Sequence, residues 1–303
     1  MAFARAVFED FKADRWSDLH KRMTESARAN LSEGQLAAEC EMLTTRFGFS
    51  AEVEILEIQF VEFPERPANA PPMAMTTIEG RSSILPNPVH LASPVSGQVA
   101  LVLGKSTSKG PGLKSWITVV LQRVNGEWGL VTLHMNNCEA NKHDGTWFMN
   151  RAEEFQQKGM RRAEFLYRNF GAQLLIPSPF IVVRSAAQQL EHSAKAEAPP
   201  NMPFPSARPS ETWQTDDGRG FVIESVSIAS APSFLALEIR YKSQKEMQAP
   251  QAKAEREALY HHVLKRFPEY EVAFDGVFIG SVSSSGNGFR DYFPFSKNSG
   301  VTH

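Results

Sequence analysis

Apolar residues recur at helical spacing from the start of the chain. Phe3, Val7 and Phe11, with Phe8 beside them, put one stripe on a helix over residues 3–12. Asp14 is a candidate N-cap for a second helix carrying Trp16, Leu19, Met23 and Ala27 on one face. Ser32 followed three residues later by Gln35 has capping-box spacing and opens a third helix ending near Phe47 and Gly48. The period then changes to two. Over residues 51–63 the apolar positions run Val53, Ile55, then Leu56, Ile58 and Phe60, and this slip of phase predicts a bulge that bends a long strand. A Pro-rich loop is expected over 64–72. Three strands are predicted over 95–103, 113–124 and 127–135, the last two joined by an Asn125-Gly126 hairpin turn.

Helical spacing returns over 146–158 and from Gly159 to about 176, and a further helix is expected over 180–196. A second Pro-rich stretch, 198–210, predicts an extended linker. Beyond it the pattern gives strands over 220–229 and 234–241, then a helix from Pro250 with Leu259, Val263 and Phe267 inward. A hairpin about Gly286-Asn287-Gly288 completes the pattern. The expectation is an α+β protein. A cone over 1–138 packs helices on a bent antiparallel sheet, a helical connector spans 139–197, and 211–303 form a small antiparallel sheet with one helix.

At 303 residues the chain has room for two domains, and its net charge of −2 is evenly spread. Fourteen basic and 16 acidic residues lie up to Lys142, and 18 of each lie after it. That balance lacks the local basic excess typical of nucleic-acid binders, so no nucleic-acid partner is expected. No apolar run reaches the roughly 20 residues of a spanning helix. The first ten residues turn acidic rather than forming a leader, which favours the cytoplasm; a periplasmic or secreted location would require a leader that has been removed. Two cysteines do not make a disulfide framework, and Cys40 falls on the inward stripe of its helix.

The break Lys12-Ala13-Asp14-Arg15-Trp16, the helix running into Phe47-Gly48, and the hairpin from Val120 through Asn125-Gly126-Glu127-Trp128 to Leu130 together resemble the nuclear transport factor two-like superfamily. This is the cone shared with ketosteroid isomerase, and the resemblance covers residues 1–136. It implies a helix-on-sheet pocket but fixes no function, because the fold hosts isomerases, dehydratases, binding domains and structural subunits. Ala152, Gly159, Ala163 and Tyr167, closed by Pro177, resemble a single tetratricopeptide-type helix pair over about 146–177, although Phe170 stands where a small residue is common.

Motifs for chemistry are scarce. Gly104-Lys105-Ser106 resembles the end of a P-loop, but Val99 stands where the earlier glycine is needed, and the segment joins strands rather than opening a helix. The eight histidines make no His-Glu-x-x-His, and the adjacent His261 and His262 point about 100° apart on a helix, so no metal and no cofactor is expected. Strict alternation along the final strand of the cone puts Trp128, Leu130, Thr132 and His134 on one face. With Trp116 and Thr118 of the preceding strand they form the candidate ligand pocket, in which His134 is the candidate general base. The competing reading of His134 is a strand-end residue bonded to solvent or nearby backbone.

The expectation is therefore a non-enzymatic binding or interaction protein, an accessory subunit of a larger assembly, whose partner is a protein or a small apolar ligand. A homo-oligomer formed through the cone sheet is a further expectation. The alternative is a small-molecule isomerase or dehydratase that uses the pocket of the cone.

Overall fold

Four helices come first: α1 (Ala2–Lys12), α2 (Trp16–Lys21), α3 (Glu25–Asn30) and α4 (Glu33–Phe47). Strands β1 (Glu52–Phe63), β2 (Ala74–Ile78), β3 (Val89–Ser93), β4 (Gly97–Thr107), β5 (Ser115–Val124) and β6 (Glu127–Asn137) follow. Next are the two-residue strands β7 (Glu139–Ala140) and β8 (His143–Asp144), helices α5 (Gly145–Gln157) and α6 (Arg161–Leu174), strand β9 (Ile181–Val183) and helix α7 (Arg184–Lys195). The chain ends with β10 (Glu211–Gln214), β11 (Gly220–Ala231), β12 (Phe234–Lys242), α8 (Ala249–Arg266), α9 (Glu269–Ala273), β13 (Gly276–Val282) and β14 (Gly288–Pro294). The fold class is α+β. This computed structural model describes residues 1–47, 52–65, 73–78, 89–107, 114–195, 198–200, 202–204, 210–231, 234–243, 249–282 and 288–296. Gly48, most of the first Pro-rich stretch, and Gly286 and Asn287 of the last turn lie outside the described residues. By its contacts the chain divides into two units, Met1–Glu139 with Leu174–Ala187, and Ala140–Gln173 with Gln188–His303.

In the first unit the expected second helix is broken into α2 and α3. Met23 is drawn into a bridge with Leu130, in which Leu130 N–H donates to Arg22 O at 2.8 Å and Thr24 N–H to Leu130 O at 2.8 Å. Thr24 then caps α3, its Oγ1 accepting from Ala27 N–H. Asp14 does not cap α2. It takes a left-handed conformation at φ 54, and Arg15 precedes the helix instead. The capping box at α4 forms in both directions, Ser32 N–H donating to Gln35 Oε1 and Gln35 N–H to Ser32 Oγ.

β1, β4, β5 and β6 form an antiparallel sheet in that order. Leu56 is the bulged residue in β1, where the pairing jumps from Ile55↔Gly104 to Glu57↔Leu103. A second bulge, at Val131, follows from Val120↔Thr132 beside Leu121↔Leu130. Val102, Val119, Leu121, Leu130 and Met135 pack against Val7, Phe8, Phe11, Leu19, Leu36 and Cys40 of the helices. Each large side chain buried there contributes about 1.5–3 kcal/mol.

The other face of the sheet is covered as well. Trp116 Nε1–H donates to Leu174 O at 2.8 Å, and Asn136 Nδ2–H donates to Ile176 O at 2.8 Å. Beneath this segment Leu101, Leu103, Thr118 and Val120 are buried. β9 adds to a small antiparallel sheet of order β2-β3-β9. The helix expected over 180–196 thus begins as a strand, because Ile181-Val182-Val183 is a β-branched run that pairs with β3. Among the described residues the inner strands of the four-stranded sheet, β4 and β5, are buried on both faces along most of their length.

In the second unit Asp144 caps α5, its Oδ1 accepting from Trp147 N–H at 2.9 Å. α5 and α6 approach closely at Gly171, where a Cβ would stand 2.8 Å from Gly145 O. The small residue of this pair is therefore Gly171, one position after Phe170. Part of the expected extended linker is packed rather than free. Ala198, Met202 and Phe204 are buried, Phe204 meets Phe165 edge-on, and Val226 N–H donates to Pro203 O at 2.9 Å. The C-terminal sheet runs β10-β11-β12-β13-β14. It departs from the all-antiparallel expectation at one place, since β12 and β13 are parallel and are joined by α8 and α9. α8 covers one face, through Leu259, Val263 and an Arg256–Asp291 ion pair at 2.6 Å.

Candidate functional site

The pairing registers of the first unit set its helix-side face in rows. One row is Phe60, Ala100, Leu121 and Leu130, and the next is Glu62, Gln98, Arg123 and Trp128. Toward this end of the sheet the cover gives out. Phe60 is 66% exposed, and Val124 at the hairpin turn is 45% exposed. Phe60 and Trp128 meet across the two inner strands, their ring centroids 5.8 Å apart.

Trp128 is the shared wall of two grooves. One, of about 550 Å³, lies between the start of α1, the α2–α3 break and the β5–β6 turn, and Phe3, Arg22, Met23, Thr24, Val124 and Trp128 are among its lining. The other, of about 430 Å³, is lined by Phe60, Val61, Glu62, Gln98, Val99, Arg123 and Trp128. The first groove carries charges of both signs, Lys21, Arg22 and Arg28 against Asp18, Glu25 and Glu127. Arg123 is held at the second by bonds from its Nε to Gly126 O and its Nη1 to Gln98 Oε1.

A buried carboxylate fixes the wall of the first groove. Asp10 accepts from Arg15 through Oδ1, at 2.9 and 2.6 Å, and from Arg22 Nε through Oδ2. Burial alone would raise the Asp10 carboxyl, but the bonds from Arg22 and Arg15 outweigh it and hold it below its ordinary 3.8. The Arg22 guanidinium lies 5.9 Å from the centre of the Phe3 ring. The pattern that leads to this cluster is an acid on the inward stripe of α1, which the apolar period alone does not reveal.

The six residues of the expected pocket do not share a face. Trp128 and Leu130 belong to the helix side, whereas Thr132 and His134 stand with Trp116 and Thr118 on the side covered by the 174–183 segment. The bulge at Val131 is the cause: one extra residue inverts the alternation on either side of it. Because Val131, Leu133 and Met135 are apolar too, nothing in the sequence marks the slip. His134 is half-buried, with Phe180 edge-on at 6.3 Å, and burial lowers its pKa below 6.5. Among the described residues its ring makes no hydrogen bond. Its cross-strand neighbour Thr118 is buried with Oγ1 unpartnered. His134 therefore does not look into the helix-side interior, and that interior is filled by Phe8, Phe11, Leu19, Met23, Leu121 and Leu130.

Cys40 and Cys138 are both buried free thiols, pushed up to about 12 by burial. Among the described residues no group of three or more His, Cys, Asp or Glu is placed to hold a metal ion, and no helix is long and apolar enough to cross a membrane. In comparison with known proteins, no family model matches the chain, and neither a curated protein nor a solved structure matches it significantly.

Proposed function

We propose that this chain is a non-enzymatic binding protein, an accessory subunit whose protein partner docks at the open end of the first unit, astride Trp128. The observation that carries this reading is the exposed Phe60 leaning on Trp128 between two grooves, while the space between helices and sheet is occupied by side chains. A central aromatic anchor with a polar rim is the usual make-up of a protein–protein hot spot. Charges of both signs around the first groove suit a protein segment better than a polyanion. The order of four helices followed by a bulged antiparallel β1-β4-β5-β6 sheet supports reading this unit as a nuclear transport factor two-like cone with its pocket closed. The close approach at Gly171 supports reading α5 and α6 as a single tetratricopeptide-type pair.

Affinity purification from the native host, wild type beside Trp128→Ala and Phe60→Ser, tests the proposal. A stoichiometric protein recovered with the wild type and lost with both variants is expected. Equal recovery with all three, or a copurifying small molecule in place of a protein, would overturn it.

A further inference from the structure

We propose that the face of the C-terminal sheet turned away from α8 binds single-stranded nucleic acid. Strand alternation and register place Phe234, Ala236, Glu238, Arg240 and Lys242 of β12 on this face. Beside them stand Gly276, Phe278 and Gly280 of β13 and Arg290 and Tyr292 of β14. Three of the four charged groups that β12, β13 and β14 place on it are basic, although the chain as a whole is at −2 and the bulge of neighbouring β11 exposes Glu224. An even charge count along the sequence therefore conceals a positive face that only strand pairing assembles.

Two features lie side by side on it. The first is aromatic: Phe234, Phe278 and Tyr292, one from each of three adjacent strands, stand 4.9–5.9 Å apart, with Tyr292 40% exposed. Tyr292 lies against Gly276, where a Cβ would be 2.7 Å from its ring. The second is Gly280, which places no side chain between its neighbours. Its cross-strand partners are Arg240 on one side and Arg290 on the other. A Cβ built on Gly280 meets nothing nearer than 3.9 Å. Arg290 lies 3.9 Å from the centre of the Phe278 ring and 3.4 Å from Glu238, so its guanidinium is held over the row next to Gly280. Among the described residues Arg240 has no ion-pair partner.

This combination suits a strand whose phosphate sits over Gly280 between the two arginines and whose adjoining base stacks at Tyr292 and Phe234. Sheet faces that bear aromatics beside cations hold unpaired bases in this way, and a duplex hides the base faces that the aromatics need. A Pro-rich peptide would also use the aromatic cluster, but it has no need of paired arginines around an open glycine.

Fluorescence anisotropy of the full chain with labelled dT12 and U12 tests the assignment, with a 12-base-pair duplex, heparin and a Pro-rich peptide as comparisons. The oligonucleotides should bind more tightly than the duplex. Their affinity should fall with salt at a log–log slope of about −2, from roughly 0.7 per neutralised phosphate and three cations. Gly280→Val places a side chain there without changing charge or forcing the backbone and should weaken binding about tenfold. Tyr292→Ala should do the same, while Tyr292→Phe keeps the ring and the affinity. Should Tyr292→Ala unfold, Arg240→Glu and Arg290→Glu at exposed positions carry the same expectation. Absence of oligonucleotide binding at low salt, equal binding of heparin with no response to Gly280→Val, or preference for the Pro-rich peptide would each overturn it.

Discussion

Phe60 of β1 and Trp128 of β6 come from opposite edges of a four-stranded sheet, yet their rings meet at 5.8 Å and an interplanar angle of 51°. Two inner strands separate them, so the contact requires a strongly curved sheet and a small side chain below. The bulges at Leu56 and Val131 supply bends in the two edge strands, and Ala100 lies in the row beside Phe60. The same curvature that closes the sheet over its helices leaves these two rings at its mouth, where a partner can reach them.

Binding and stability separate at this pair. Phe60 is largely exposed, so Phe60→Ser should change stability by no more than about 0.5 kcal/mol. Trp128 is half-buried against the core, and Trp128→Ala should cost about 2 kcal/mol. Urea denaturation of both variants measures this. Equal losses would mean that Phe60 is structural.

His134 predicts a pH dependence. Its folded pKa is lowered by burial, so the stability it contributes is complete above 6.5 and is lost as pH falls below that value. One proton sets a ceiling of about 1.4 kcal/mol per pH unit. His262 of the second unit is lowered too, by burial and then by Arg266, and adds a loss of the same sign. His134→Gln should therefore flatten, without abolishing, the decline in unfolding free energy between pH 6.5 and 5. A variant as steep as the wild type would show that the imidazole titrates freely.

Much of the first unit is legible in the chain. The Leu56 bulge shows as a phase slip, and the Ser32–Gln35 box and the Asn125-Gly126 turn are local chemistry. What stays hidden is non-local. Met23 fits a helical stripe, but its backbone pairs with Leu130 far along the chain. β2 and β3 acquire their meaning only from β9, some 90 residues beyond β3. The candidate pocket failed at one residue, Val131, because a strand buried on both faces carries apolar residues in both phases.

Burial predicts the behaviour of the thiols. With both pushed up to about 12, Cys40 and Cys138 carry almost no thiolate at pH 8. A disulfide-exchange reagent should label neither in the native protein and both in denaturant. Labelling of one within the dead time would place it in a part of the fold that opens readily.

Asp10 makes the sharpest case. It is 2% exposed and serves two guanidiniums that belong to the α1–α2 turn and to the groove wall at Arg22. Asp10→Asn keeps the shape and removes the charge, leaving Arg15 and Arg22 facing each other across a neutral amide. Because both arginines reach solvent, the loss is smaller than for a fully buried pair, and about 1–2 kcal/mol is expected in urea denaturation at pH 7. The pH dependence identifies its origin. Because the folded pKa is below 3.8, the stability due to this carboxylate is complete above that value and disappears as pH falls through the lowered one. The gap between wild type and Asp10→Asn should therefore be constant from pH 7 to about 4 and close below it. A gap that persists undiminished at pH 2 would mean that the substitution acts through packing, and that the two arginines do not depend on the charge between them.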